Sequence, residues 1–107
     1  VAAFEKEYGY IPALYAAQGY DAAKLIDSAI KATGGKLSDK AAVRAALKKA
    51  DFASVRGNFK FNTNQFPIQD FYLVKVAKRA DGKFQTEIAQ KVFENYSDPH
   101  AKDCPMK

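Results

Sequence analysis

The sequence predicts an α+β chain in which helices come first and an antiparallel strand hairpin follows. In the first half, apolar residues recur at the three- and four-residue spacing of helices that bury one face. In the second half they alternate with polar residues, as in half-buried strands. Because helices and strands do not alternate along the chain, no self-contained parallel sheet is expected. We therefore interpret 1–107 as one unit with a helical part (1–52), strands (53–94) and a polar tail (95–107).

Two helices are predicted before residue 34. The first covers Ala2–Tyr8 and ends at Gly9, because glycine readily adopts the left-handed conformation found at helix C-termini. The second covers about 13–33 and ends at the pair Gly34-Gly35. Its predicted buried face consists of small and branched residues: Ala22, Ala23, Ile26, Ala29 and Ile30.

A third helix is predicted over about 39–50. Ser38 is its expected N-cap, because a serine hydroxyl can accept a hydrogen bond from an unpaired N–H of the first turn. Lys48 and Lys49 suit the negative C-terminal end of the helix dipole. The predicted buried stripe is Val43, Ala46, Leu47 and Ala50.

Three strands are predicted after residue 52. Alternation indicates a strand at Asn58–Asn62, and Phe71–Lys78 and Lys83–Phe93 form a hairpin around the turn signal Asp81-Gly82. Between them, Thr63–Gln69 is expected to be a loop, because Pro67 argues against a central strand. Two sets of residues are assigned to strand faces: the core phenylalanines Phe59, Phe61, Phe71, Phe84 and Phe93, and the in-phase residues Phe84, Thr86, Ile88 and Val92.

Composition excludes several classes of protein. The chain has 107 residues, 48% of them hydrophobic, which is too apolar for a disordered chain. No apolar run approaches the ~20 residues needed to span a bilayer. The formal net charge is +5, which allows a small basic nucleic-acid module as an alternative. Because the basic residues are scattered rather than gathered on one face, we interpret them as a solvated surface and expect no nucleic-acid partner.

Enzyme signatures are absent from the sequence. It has no Gly-rich phosphate loop, no HExxH and no GxSxG motif, and its only histidine is His100. Cys104, also in the polar tail, is the only cysteine, so it is either an idle thiol or a partner for a cysteine elsewhere. We therefore expect no catalytic residues, no metal site and no cofactor.

Two motifs carry a resemblance to a known family. They are YAAQGYDA at Tyr15–Ala22 and VRGNFKFN at Val55–Asn62. With the element order around them, they resemble the C-terminal region of type I periplasmic solute-binding proteins, the leucine/isoleucine/valine-binding family of ABC-transporter receptors. The run NTNQFPIQDFYL at Asn62–Leu73 is similar to a branch of that family linked to aromatic acids.

The resemblance implies an α/β protein of two lobes that close over a solute, of which this chain would be about the last third. It implies a ligand-binding role for Tyr15, and Ala16 and Gln18 on the same helical turn could also reach the cleft. The main binding segments would lie upstream, so the isolated chain is expected to bind solute weakly. It is also expected to expose part of the alanine and isoleucine face of 13–33, which would promote a homo-oligomer.

The resemblance also implies partners and a location. The expected partners are a small solute of the amino-acid or aromatic-acid class, ABC permease subunits and the rest of the same polypeptide. The expected location is the periplasm, where Cys104 would pair with an upstream cysteine. A ligand-sensing regulatory domain of the same fold is the alternative.

Overall fold

Three helices precede a three-stranded antiparallel sheet in the computed structural model, which describes residues 1–104 and 106. This order confirms the predicted α+β arrangement of the chain. The elements in chain order are α1 (Ala2–Tyr8), α2 (Leu14–Ala32), α3 (Lys40–Lys49), β1 (Phe59–Phe61), β2 (Pro67–Lys78), β3 (Phe84–Tyr96) and a short 3-10 turn (Ala101–Asp103). None of the helices in the described residues is both long and apolar enough to cross a bilayer.

The helix ends follow local sequence signals, with one correction. Gly9 ends α1 in the left-handed conformation, at φ 75°, as predicted. The N-cap of α3 is Asp39 and not Ser38, because the Asp39 carboxylate accepts a hydrogen bond from the Ala42 N–H at 3.0 Å. A carboxylate also suits the positive end of the helix dipole better than a hydroxyl does.

The described chain is a flat slab with little interior. Its extents are 50 × 34 × 15 Å, and its radius of gyration is 17.0 Å, against about 13 Å for a compact domain of this length. Ala29 and Ala50 are the only apolar residues that are buried among those described. Most of the apolar surface of the slab therefore faces solvent.

Helices α2 and α3 pack against each other. The predicted stripe of α3 is confirmed, with Val43, Ala46 and Leu47 half-buried and Ala50 buried. The predicted buried face of α2 is wrong except at Ala29, because its other four residues, Ala22, Ala23, Ile26 and Ile30, are exposed. The side of α2 that packs is rotated toward Asp21, Leu25 and Ser28. The expected exposure of the alanine and isoleucine face is thus present in the structure.

Strand β2 is the centre of the sheet, which has the order β1-β2-β3. The prediction that Pro67 excludes a central strand is wrong, because Pro67 is the first residue of β2, opposite Phe61 at the end of β1. Proline is tolerated at the start of a strand, where its missing N–H costs least. The predicted loop 63–69 is accordingly shorter, and the Asn62 N–H donates to the Phe66 carbonyl at 2.8 Å to close it.

The hairpin of β2 and β3 contains three register shifts. The first part is regular, with Phe84, Thr86 and Ile88 opposite Lys78, Val76 and Val74 as the predicted phase requires. Val92 does not belong to that phase. Phe71 pairs with Phe93 and Tyr72 with Lys91, so the register shift between these two pairs leaves Val92 without a partner. Strand β3 also runs on to Tyr96, beyond the predicted start of the tail at residue 95.

Three of the five phenylalanines assigned to strand cores are exposed: Phe71, Phe84 and Phe93. Phe84 is the most exposed of them, at 65%. The reason is that no helix packs along either face of the β2–β3 hairpin in the described residues. Helix α1 contacts it only near the turn, where the Glu5 carboxylate accepts hydrogen bonds from Arg79 at 2.8 Å and Lys83 at 3.3 Å.

Candidate functional site

The N-terminus of α2 has unpaired donors. Ala13 precedes the helix in an extended conformation and provides no side-chain cap, and the first turn carries no acidic residue. The Ala16 N–H donates to the Ala13 carbonyl at 3.0 Å. The N–H groups before it in this uncapped first turn are free to bind water or a ligand, and the helix dipole makes this end positive. The start of α2 can therefore accept an anionic group.

The three residues predicted to bind ligand lie at this end of α2. Tyr15 is 81% exposed, so its side chain is open to solvent in the described chain. Gln18 follows three residues later and is also exposed, which places it on the same helical face as Tyr15. Ala16 is half-buried and lies on the adjacent face. The structure thus brings Tyr15 and Gln18 together on one open surface and leaves Ala16 beside it.

A buried carboxylate, Asp21, anchors α2 one turn farther on. Its Oδ2 accepts hydrogen bonds from the Ser54 hydroxyl at 2.6 Å and from Arg56 Nε at 3.0 Å, and its Oδ1 accepts one from the Val55 N–H at 3.0 Å. The Asp21 side chain is 4% exposed and that of Arg56 is 24% exposed. The Arg56 guanidinium also lies over the Phe59 ring, 5.6 Å from its centroid. Three consecutive residues of the loop before β1 therefore hold one carboxylate of α2.

The hydrogen bonds keep Asp21 ionised. Burial alone would raise the pKa of the Asp21 carboxyl, but the bonds from Ser54, Val55 and Arg56 together lower this pKa below its ordinary value of 3.8. The charge is thus stable at neutral pH and is matched by the Arg56 guanidinium.

Sequence reasoning missed the roles of Asp21 and Arg56, although a signal was present. Asp21 lies in the YAAQGYDA motif and Arg56 in the VRGNFKFN motif, the two runs most similar to the family. The structure joins these two runs through this ion pair. An acidic residue within the apolar repeat of α2 could have been interpreted as a buried anchor, since buried charges require partners.

A second carboxylate, Asp70, occupies the irregular part of the hairpin. It accepts hydrogen bonds from Lys91 at 2.8 Å, from the Tyr72 hydroxyl at 3.3 Å and from the Asn95 N–H at 2.9 Å. The bond with Lys91 is the main cause of the lowered pKa of Asp70, and the Asn95 N–H adds to it. The carboxylate thus binds a side-chain donor and a backbone donor of β3 and the Tyr72 hydroxyl of its own strand.

Other candidate chemistry is not assembled in the described part of the chain. Cys104 is an exposed free thiol, and no group of three or more His, Cys, Asp or Glu residues in the described residues could hold a metal ion. Two open depressions lie elsewhere, one of about 430 Å³ beside Lys24 and Phe52 and one of about 320 Å³ beside Phe66 and Tyr96. Neither is lined by the ligand residues predicted from the sequence.

Two solved structures are similar to this chain. A solute-binding protein of an ABC transporter from R. palustris, in complex with benzoate, is 34% identical with a TM-score of 0.78 over 92% of this chain. An ABC-transporter substrate-binding protein from Sphaerobacter thermophilus is 27% identical with a TM-score of 0.75 over 86% of it. This chain covers 26% and 25% of those two chains. It therefore spans about a quarter of the length of each of these proteins.

The same family is found at the level of sequence. No curated protein matches the chain. A family model of periplasmic binding proteins matches residues 1–83, more than three quarters of the sequence. As the two motifs predicted, the chain belongs to the periplasmic binding protein family.

Proposed function

We propose that this chain is the C-terminal part of a two-lobed receptor that binds an aromatic carboxylate and delivers it to an ABC importer. The observation that carries the proposal is the 34% identity, over 92% of the chain, to a solute-binding protein in complex with benzoate. The receptor acts by binding, without catalysis, and works in the periplasm together with permease subunits. A chain of about 380 residues is expected, because 92% of these 107 residues make up 26% of that protein.

The start of α2 has the chemistry that an aromatic carboxylate requires. The Tyr15 ring offers a flat apolar face for the solute ring, and aromatic pairs prefer offset or edge-to-face contact. The uncapped first turn offers N–H donors and a positive dipole end for the carboxylate. The Gln18 amide provides a further donor on the same face, and the small side chain of Ala16 leaves room beside it.

The remaining walls of the pocket come from the rest of the polypeptide. The exposed start of α2 is one open surface, whereas solute sites bury 70–90% of a small ligand. We therefore expect the 107-residue chain alone to bind benzoate at least about a hundredfold more weakly than the full-length receptor, about 2.7 kcal/mol.

Calorimetric titration with benzoate tests the proposal. The full-length receptor should bind benzoate, and Tyr15→Ala should lower its affinity by about tenfold, or 1.4 kcal/mol. Tyr20→Ala is the matched control, because Tyr20 is an exposed tyrosine five residues later on a different face of α2. Its affinity should change less than about twofold, within the range of ordinary surface substitutions. Absence of benzoate binding, or equal losses in the two variants, would contradict the proposal.

A further inference from the structure

We propose that Asp21 is a positioning residue for the solute site at the start of α2. The proposal rests on the proposed function, because it concerns how Tyr15 and Gln18 are held for the ligand. Asp21 does not touch the solute surface itself. It fixes α2 to the loop 54–56, and so sets where the two ligand residues stand.

Asp21 is the only buried residue of α2 before Ala29. Leu14 and Tyr15 at the helix start are exposed, no side chain caps the helix, and the next buried residue is Ala29. Tyr15 is six residues from Asp21, which is about 9 Å along the helix axis. Between Leu14 and Asp21 only Ala16 and Ala17 are even half-buried, so the Asp21 bonds are the polar contacts that hold this end of α2.

The geometry of the anchor controls the rotation of α2 as well as its position. Ser54 and Arg56 donate to one carboxylate oxygen of Asp21, and Val55 donates to the other. The Ser54 Oγ in turn accepts the Arg56 N–H at 3.0 Å, which fixes the donors relative to each other. Bonds to both oxygens define the plane of the carboxylate, whereas an apolar contact would allow the helix to turn.

A small rotation would displace the ligand residues by a distance that matters. Because a helix with its side chains is about 10–12 Å across, a rotation of about 10° moves a group on its surface by about 1 Å. A binding constellation has to be held within about 0.5 Å and 10–20°. Loss of the Asp21 anchor should therefore weaken binding without removing any group from the pocket.

Benzoate titration of the full-length receptor and its variants provides the test. Asp21→Asn should lower affinity by about tenfold, because one acceptor remains but the ion pair is lost. Ser54→Ala, a milder change in case Asp21→Asn does not fold, should lower it by about threefold. Ser54→Thr, which keeps the hydroxyl, should restore it. Each titration is made well below the unfolding midpoint of that variant, so that the folded state dominates.

Ala29→Gly is the control that separates positioning from stability. It weakens the same helix by removing a buried methyl and adding backbone freedom, but it leaves the anchor intact. It should lower the unfolding midpoint and leave benzoate affinity unchanged. Equal affinity losses in Ala29→Gly and Ser54→Ala, or wild-type affinity in Asp21→Asn, would overturn the positioning role alone. Failure of the wild-type receptor to bind benzoate would overturn the proposed function, and this inference with it.

Discussion

The two ion pairs of α2 offer a test of whether burial or distance determines the strength of an ion pair. Asp27 and Lys31 lie 2.7 Å apart with side chains 51% and 74% exposed. Asp21 and Arg56 lie 3.0 Å apart with side chains 4% and 24% exposed. The exposed pair is the shorter, but we expect the buried pair to contribute far more to stability.

The expected magnitudes follow from solvent screening and desolvation. Asp27→Ala should cost about 0.3–0.5 kcal/mol, as is usual for an exposed pair one helical turn apart. Asp21→Ala removes one partner of a buried pair, which costs about 3–5 kcal/mol, and it leaves the donors of Ser54 and Val55 without their acceptor. Because Arg56 is partly exposed and can rehydrate, the lower end of that range, about 3 kcal/mol, is expected.

Urea unfolding of the full-length receptor measures both variants. The free energy of unfolding of each variant is compared with that of the wild type. The comparison is made only where the slope of this free energy against urea concentration, the m value, is unchanged. The ratio of the two losses should be near six or higher. A loss for Asp27→Ala equal to that for Asp21→Ala would refute the argument that burial decides, and would indicate that the shorter distance does.

Two further predictions concern backbone strain and pH. Gly57→Ala should destabilise the protein by about 1–2 kcal/mol, because Gly57 has φ +97°, a backbone conformation that is strained for alanine. The added Cβ would lie 3.6 Å from the Tyr72 hydroxyl, an ordinary contact, so no clash adds to this cost. Gly19→Ala, inside α2 with no neighbour within 4 Å, should stabilise the protein by about 0.5–1 kcal/mol. Equal urea midpoints for the two variants would contradict this. The pKa values of the Asp21 and Asp70 carboxyls are lowered from 3.8 in the folded chain. Both carboxylates therefore stabilise the folded state above pH 3.8, and this stabilisation is lost as the pH falls through their lowered pKa values. The urea midpoint should be flat from about pH 7 to 5 and fall below about pH 4; a midpoint that rises on acidification would be inconsistent with these shifts.

Local signals in the sequence predicted the helices and the turn well. The left-handed Gly9 and the turn at Asp81-Gly82 depend on interactions within a few residues, and both are present. The exposure of Phe84 could not be predicted, because it depends on what packs on the sheet and not on alternation along β3. The register shifts beside Lys91 likewise depend on the partner strand and the Asp70 carboxylate.

In the candidate site too, features set by nearby residues could be predicted from the sequence, and those set by distant residues could not. Tyr15 and Gln18 are exposed at the start of α2, and their ligand role stays a prediction. The role of Asp21 could not be derived from helical periodicity, since its partners are 33 to 35 residues away along the chain. A long-range partner of this kind is visible only when the two motifs are brought together in space.

The loop between α3 and β1 has a consequence for combining mutations. In the described residues, α2 packs on α3, and neither α2 nor α3 packs along β2 or β3. Asp21 of α2 accepts a hydrogen bond from Val55 in this loop, and the Tyr72 hydroxyl of β2 lies near Gly57 in the same loop. Substitutions on α2 and on the far end of the hairpin should therefore add in free energy, as distant sites do. Non-additive effects should be concentrated in pairs that share this loop, which makes it the region where one substitution changes the effect of another.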